Sequence, residues 1–365
     1  MTRHAKPTRM LRPLNKRQWM KIAAVVAAAG LLGAAGLVSR SFYHADDVKP
    51  ISTITSFSAT DSAASRSATR GAINSADKNT TFVTVKINGD SRVVLGEKAN
   101  MTTVKDVLAR GDLHRFVPYA FPQGHQAHRE TGARWVARFG VNASAETVVV
   151  TSGTQHALHC IFSTLFEHGD RVAVEKYTYP GVKSAARANG IRLEAVEMDA
   201  QGMLPESLDA LCQRQNIKGL YTAGLVQNPT NSCMGPQRRL ALAEVIRRHG
   251  LLLLEDGVDA FLAEGDSRTL SALLPEQSIF ICGMAQAFYT GLRIAFVVAP
   301  RAMCVSIAQG VVDSIWMTPP LCAEIICETI NSGIADKIIT QKKGELDKRM
   351  ALFKKRLCGY SFVLE

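Results

Sequence analysis

The side chains able to do chemistry fall in a few short runs. Thr151-Ser152-Gly153-Thr154-Gln155-His156 closes an apolar stretch and opens a helical one. The unpartnered amides of a helix start suit an anion such as phosphate. Glu175-Lys176-Tyr177-Thr178-Tyr179-Pro180, Gln227-Asn228-Pro229-Thr230-Asn231 and Glu255-Asp256-Gly257-Val258-Asp259 each follow another apolar stretch and supply carboxylates, amides and aromatics. Gln286 and Arg293 stand seven residues apart in a further run, Cys282 to Arg293. The amide nitrogen of Gln286 is neither basic nor nucleophilic. No lysine occurs between Lys218 and Lys337, so this stretch has no amine to attack a carbonyl. Each residue also has a plainer role: Asp256 capping a turn, Arg293 in a surface salt bridge, Tyr179 as a packed loop aromatic, Asn228 as a turn residue. His125, His128, His156 and His159 have no carboxylate pattern that points to a metal, and no cysteines form a zinc-type spacing.

These runs need a frame. Short apolar segments at Thr147–Thr151, Arg171–Glu175, Leu193–Glu197, Gly219–Ala223, Leu251–Glu255, Ile279–Cys282 and Ile294–Val298 read as buried strands, with helical stretches between most of them. The expectation is a three-layer α/β fold of about seven, mostly parallel strands. The polar runs then lie at carboxyl ends of strands, where such sheets bind ligands.

Tyr119-Ala120-Phe121-Pro122-Gln123-Gly124 and Ser314-Ile315-Trp316-Met317-Thr318-Pro319-Pro320-Leu321-Cys322-Ala323-Glu324-Ile325 add to the same motif set. With them, residues 116–365 resemble the aminotransferase-like domain of MocR-type regulators, a fold-type I pyridoxal-phosphate fold. The resemblance implies that Thr154 and Gln155 donate to the cofactor phosphate, that Tyr179 stacks on its ring and that Asn228 bonds the ring hydroxyl oxygen. It implies that Asp256 pairs with the ring nitrogen and that Arg293 holds the phosphate. The departures matter as much. Gln286 occupies the position of the lysine that makes the Schiff base. Ala285, Val258 and Asn231 replace a serine, a tyrosine and a glycine. The chain stops at Glu365, before the expected remainder of the small domain and its substrate-carboxylate arginine. The winged helix-turn-helix of MocR proteins is not found, so no nucleic-acid partner is expected. The expectation is a domain that binds pyridoxal phosphate without a covalent bond and is catalytically impaired. An active class I/II aminotransferase and a non-enzymatic, membrane-anchored envelope protein are the alternatives. Amino-acid-like or pyridoxal ligands and a homodimer are the expected partners.

Ahead of this domain the chain changes character. The net charge of +11 is concentrated in residues 1–115, which hold 18 Lys and Arg against 8 Asp and Glu. Residues 1–21 carry seven basic side chains and no acidic one, and an uncharged run at 22–38 follows. That order reads as a signal or signal-anchor segment over residues 1–45, hence a membrane-anchored or exported chain, with a cytoplasmic one as the alternative. Residues 46–80, rich in Ser, Thr, Ala and Asp, read as a disordered linker. Residues 81–113 read as a β-hairpin turning at Asn88-Gly89-Asp90, then a short helix capped by Thr103. This module resembles the ubiquitin-like repeat of resuscitation-promoting factors. All eight cysteines, Cys160 to Cys358, lie in the C-terminal part and read as small core residues of a reducing compartment.

Overall fold

The computed structural model describes residues 80–87, 90–97 and 101–357, apart from 264, 266 and 267. The basic N-region, the 22–38 segment and the linker up to residue 79 lie outside the described residues. Among the described residues, no helix is long and apolar enough to cross a membrane.

The first element is an antiparallel hairpin of β1 (Thr80–Ile87) and β2 (Asp90–Glu97), with Ile87 facing Asp90 across the turn. Helix α1 spans Met101–Leu108. Thr103 therefore does not cap it, contrary to the sequence expectation. The helix starts two residues earlier, which puts Thr103 in its first turn, buried and with no partner for its hydroxyl among the described residues.

The main sheet then alternates with helices. In chain order these are α2 (Gln126–Val136), β3 (Val148–Thr151), α3 (Thr154–Leu165), β4 (Arg171–Glu175), α4 (Pro180–Ala188) and β5 (Arg192–Val196). A minor hairpin of β6 (Met198–Asp199) and β7 (Gly202–Met203) leads to α5 (Pro205–Arg214), β8 (Ile217–Thr222), α6 (Pro236–His249), β9 (Leu252–Asp256) and α7 (Leu270–Leu273). Then come β10 (Ser278–Gly283), β11 (Ala295–Val298), α8 (Arg301–Ile315), α9 (Pro320–Asn331) and α10 (Ile334–Leu357). The described residues up to Ile339 belong to one compact unit, and those from Thr340 belong to another.

Seven strands pair in the order β3-β11-β10-β9-β8-β4-β5. All pairs are parallel except the two made by β11, which runs antiparallel to both β10 and β3. The strands are mostly buried on both faces, so β3, β10 and β11 are almost wholly apolar rather than alternating, while β5 at the edge is only partly buried. The period of two still sorts them. Val149, Val172, Tyr221, Leu254, Ile281 and Val297 pack with α3, α4 and α8 on one face. Val148, Val150, Phe280, Cys282, Phe296 and Val298 pack with α2 and α9 on the other, and Ala173, Leu220 and Leu253 meet α5, α6 and α7 there. This is the expected three-layer α/β arrangement. Truncating a fully buried Phe296 to Ala would cost about 3–5 kcal/mol.

Candidate functional site

The site forms where β3, β4, β8, β9 and β10 end. At the end of β3 the backbone turns sharply into α3 through Gly153, whose φ of 85° favours glycine. A side chain there would also collide with the guanidinium of Arg293: a Cβ on Gly153 would stand 2.9 Å from its Nη2 and 3.3 Å from Cζ. Arg293 is exposed and makes no ion pair among the described residues, so the surface salt bridge is not its role. The guanidinium thus lies against the amino end of α3, where cation and free amides favour an anion together.

Thr154 opens α3. Its hydroxyl oxygen is buried and has no hydrogen-bond partner among the described residues. It faces Gly283 so closely that a Cβ on that glycine would overlap it, and would also meet Val258 Cγ2 at 2.9 Å. Thr154 therefore adjoins both the end of β10 and the turn after β9.

Asp256 ends β9 and is buried. Its Oδ2 accepts from the Tyr221 hydroxyl at 2.8 Å and its Oδ1 from the Val258 amide at 3.0 Å. Burial pushes its carboxyl up to about 6 even though both bonds favour the charged form. Asp259, three residues on, is pushed up to about 7 by burial and by the Asp256 charge. Tyr179 caps the start of α4, and its hydroxyl approaches Gln155 Oε1 at 3.5 Å. Burial raises the Tyr179 phenol, Asp256 raises it further and Arg293 opposes both, so the three share one electrostatic neighbourhood.

Thr154, Gln155, Tyr179, Asp256 and Arg293 are thus brought together as the sequence suggested. Asn228 and Gln286 are half-buried on flanking loops. The Asn228 side chain makes no hydrogen bond among the described residues. Its loop is organised by Gln227, which donates to the carbonyls of Tyr177 (2.6 Å) and Asn228 (3.0 Å) and accepts from the Thr230 amide (2.8 Å) and hydroxyl (2.6 Å).

Sequence reasoning missed one buried group, Tyr221, and gave another, Glu175, no role of its own. Tyr221 lies inside a strand segment and reads there as core; only the pairing of β8 with β9 brings it to Asp256. Glu175 ends β4, accepts from the Thr222 hydroxyl and the Ala223 amide, and is pushed up to about 7 by burial.

These raised carboxyls set a pH dependence. A carboxyl raised by folding stabilises the folded state fully below its unfolded value and loses that contribution as pH climbs to the folded value. Glu175 moves from 4.5 to about 7, on the order of 3 kcal/mol. The melting temperature of the ligand-free protein should therefore fall by several degrees between pH 5 and pH 7.5. Glu175→Gln, which keeps the acceptor oxygen, should flatten part of that slope in a calorimetric pH series. An unchanged slope would show that Glu175 is not buried as described.

The donor set fits a phosphorylated, nitrogen-containing ring. An orphaned hydroxyl, helix-start amides and a guanidinium suit its phosphate, and a buried carboxylate with lone pairs to spare suits its ring nitrogen.

Comparison with known proteins gives the chain a family and a fold. The family model described as aminotransferase class I and II matches residues 91–361. An uncharacterised HTH-type transcriptional regulator, YdeF, of Bacillus subtilis is 26% identical over 258 residues, covering 71% of this chain and 56% of that protein. A 2-aminoadipate transaminase of Thermus thermophilus is 25% identical over 240 residues, covering 64% of this chain and 59% of its own. The chain thus spans a little under three fifths of the length of these relatives. Among solved structures, the multiple substrate aminotransferase of Thermococcus profundus superposes with a TM-score of 0.67 at 22% identity, covering 73% of this chain and 69% of that one, and shares the fold.

Proposed function

Since the chain belongs to the class I and II aminotransferase family, whose cofactor is pyridoxal phosphate, we propose that it binds that cofactor or its amine form non-covalently and does not turn over amino acids. The observation that carries the proposal is the convergence of Arg293, Gly153 and the Thr154 hydroxyl, unpartnered among the described residues, in one neighbourhood with Tyr179 and Asp256. When bound, the cofactor supplies an electron-withdrawing ring. Every other role belongs to side chains of this chain.

Arg293 and the first amides of α3 bind and orient the phosphate. The Thr154 hydroxyl would donate a hydrogen bond to a phosphate oxygen and so gain the partner it lacks among the described residues. Asp256 holds a proton on the ring nitrogen. The positive charge there would draw the Asp256 carboxyl back down from about 6, so a bound ring stabilises the ionised carboxylate that burial disfavours. Tyr221, donating to Oδ2, keeps that carboxylate turned toward the site. Gln286 can accept or donate a hydrogen bond but cannot form a covalent bond to an aldehyde.

Calorimetric titration with pyridoxamine phosphate tests the proposal, because that form needs no lysine. The expected dissociation constant is roughly micromolar or weaker, about 8 kcal/mol or less. No heat at millimolar ligand would mean that this domain has lost the cofactor. Transamination above background by the wild-type chain would instead establish an active enzyme.

A further inference from the structure

One side-chain cluster beside the anion site has no role in holding the cofactor. His156 lies in the first turn of α3. Its Nδ1 accepts the Ser152 amide hydrogen at 3.0 Å. On the other side of the ring, Nε2 lies 2.8 Å from Ser314 Oγ and 3.2 Å from Cys160 Sγ. Ser314 Oγ donates in turn to the Gly310 carbonyl at 2.6 Å. With Nδ1 accepting, the ring hydrogen sits on Nε2 and is given to Ser314. Burial, with His159 adding to it, holds this imidazole below its ordinary range. Cys160 is a thiol, pushed up to about 11 by burial. The ring is therefore neutral, and Nδ1 is an acceptor.

Ser152 stands just before Gly153, outside the helix, so no intrahelical carbonyl can take its amide hydrogen. His156 is what satisfies it. Gly153 uses its own amide on the Thr151 carbonyl at 2.8 Å. The turn from Thr151 to Thr154 is thus internally fixed, with the later amides of α3 left for an anion. The end of α8 and the segment after it hold this region at two points: Ser314, in the last turn of α8, holds His156, and Thr318 donates to the Val150 carbonyl of β3 at 2.9 Å. Between the two points Trp316 sits at φ 69° and ψ −49°, a costly conformation for a bulky residue, and is exposed.

We propose that His156 is a positioning residue of the anion site: its Nδ1, kept an acceptor by Ser314, holds the Ser152–Thr154 turn in the shape that receives a phosphate group. The role rests on the phosphate-binding reading of that turn. Removing the acceptor leaves a part-buried amide unpaired and lets the turn relax, which should weaken binding by about tenfold, or about 1.4 kcal/mol.

The test uses the full chain, titrated with pyridoxamine phosphate. His156→Leu should bind about tenfold more weakly than wild type. His156→Gln, whose amide oxygen can take the same hydrogen, should stay within about threefold. Should His156→Leu fail to fold, Ser314→Ala serves in its place; it frees the tautomer and should weaken binding about threefold. Equal affinity in wild type and His156→Leu, or in wild type and Ser314→Ala where that variant stands in, overturns the positioning role alone. So does His156→Gln binding as weakly as His156→Leu. If the wild type binds no pyridoxamine phosphate, the positioning role and the cofactor reading fall together.

Discussion

Gln286→Lys should convert a chain that takes up no covalent pyridoxal phosphate into one that is labelled almost stoichiometrically. After incubation with pyridoxal phosphate and borohydride reduction, the intact mass of the variant should rise by one phosphopyridoxyl group, mapped to position 286. The wild type should show no such adduct. The loop that carries this position is anchored by its backbone and by the core. The Met284 amide donates to the Ile294 carbonyl at 2.9 Å and the Phe288 amide to the Met284 carbonyl at 3.0 Å. The Phe288 ring meets Trp135 edge-on at 5.2 Å in the core. A lysine at this half-buried position is partly desolvated, which lowers its pKa and frees its amine for attack. A folded variant without adduct would mean that the pocket does not hold the cofactor near this loop. The substitution need not restore turnover, since the change supplies an attachment point and not a grip on substrate.

Arg293→Ala should abolish measurable binding of pyridoxamine phosphate, a loss of about a hundredfold or more. Charge-assisted hydrogen bonds contribute about 1.5–3 kcal/mol each, and a guanidinium makes two to one phosphate. Arg293→Lys should lie between, because it keeps the charge and loses the fork. Arg293 has a φ of 54°, so alanine there carries some backbone strain. Arg293→Gly removes the same guanidinium without that strain and should lose binding equally. Wild-type affinity in Arg293→Ala would place the phosphate on the α3 amides alone, or elsewhere.

Much of this was legible in the sequence, for a physical reason. A sheet covered on both faces needs short, largely apolar strands, so all seven segments of the main sheet stood out, each within two residues of its observed bounds. Polar residues at their ends are then conspicuous, which is how Thr154, Tyr179 and Asp256 could be singled out. Pairing is not legible in this way. Nothing in Ile294–Val298 says that it runs antiparallel and inserts between β10 and β3. Tyr221 was invisible, and Glu175 stood in a conspicuous run without a role, because their burial and partners follow from neighbouring strands, not from nearby residues. Thr103 misled because a hydroxyl before a helical stretch is a good cap signal, and the helix had two more residues to use upstream.

The insertion of β11 also governs when the pocket can come into being. Among the described strands β3 pairs with β11 alone, Val148 facing Val298 and Thr151 facing Ala295. On a ribosome, which delivers the chain from its amino end, β4, β5, β8 and β9 can begin to assemble while β3 still has no strand to pair with. Its three valines and the turn to α3 must wait until residues 295–298 emerge. A contact spanning so much sequence is slow to close. The anion turn is thus among the first parts of this domain to be made and among the last to be built.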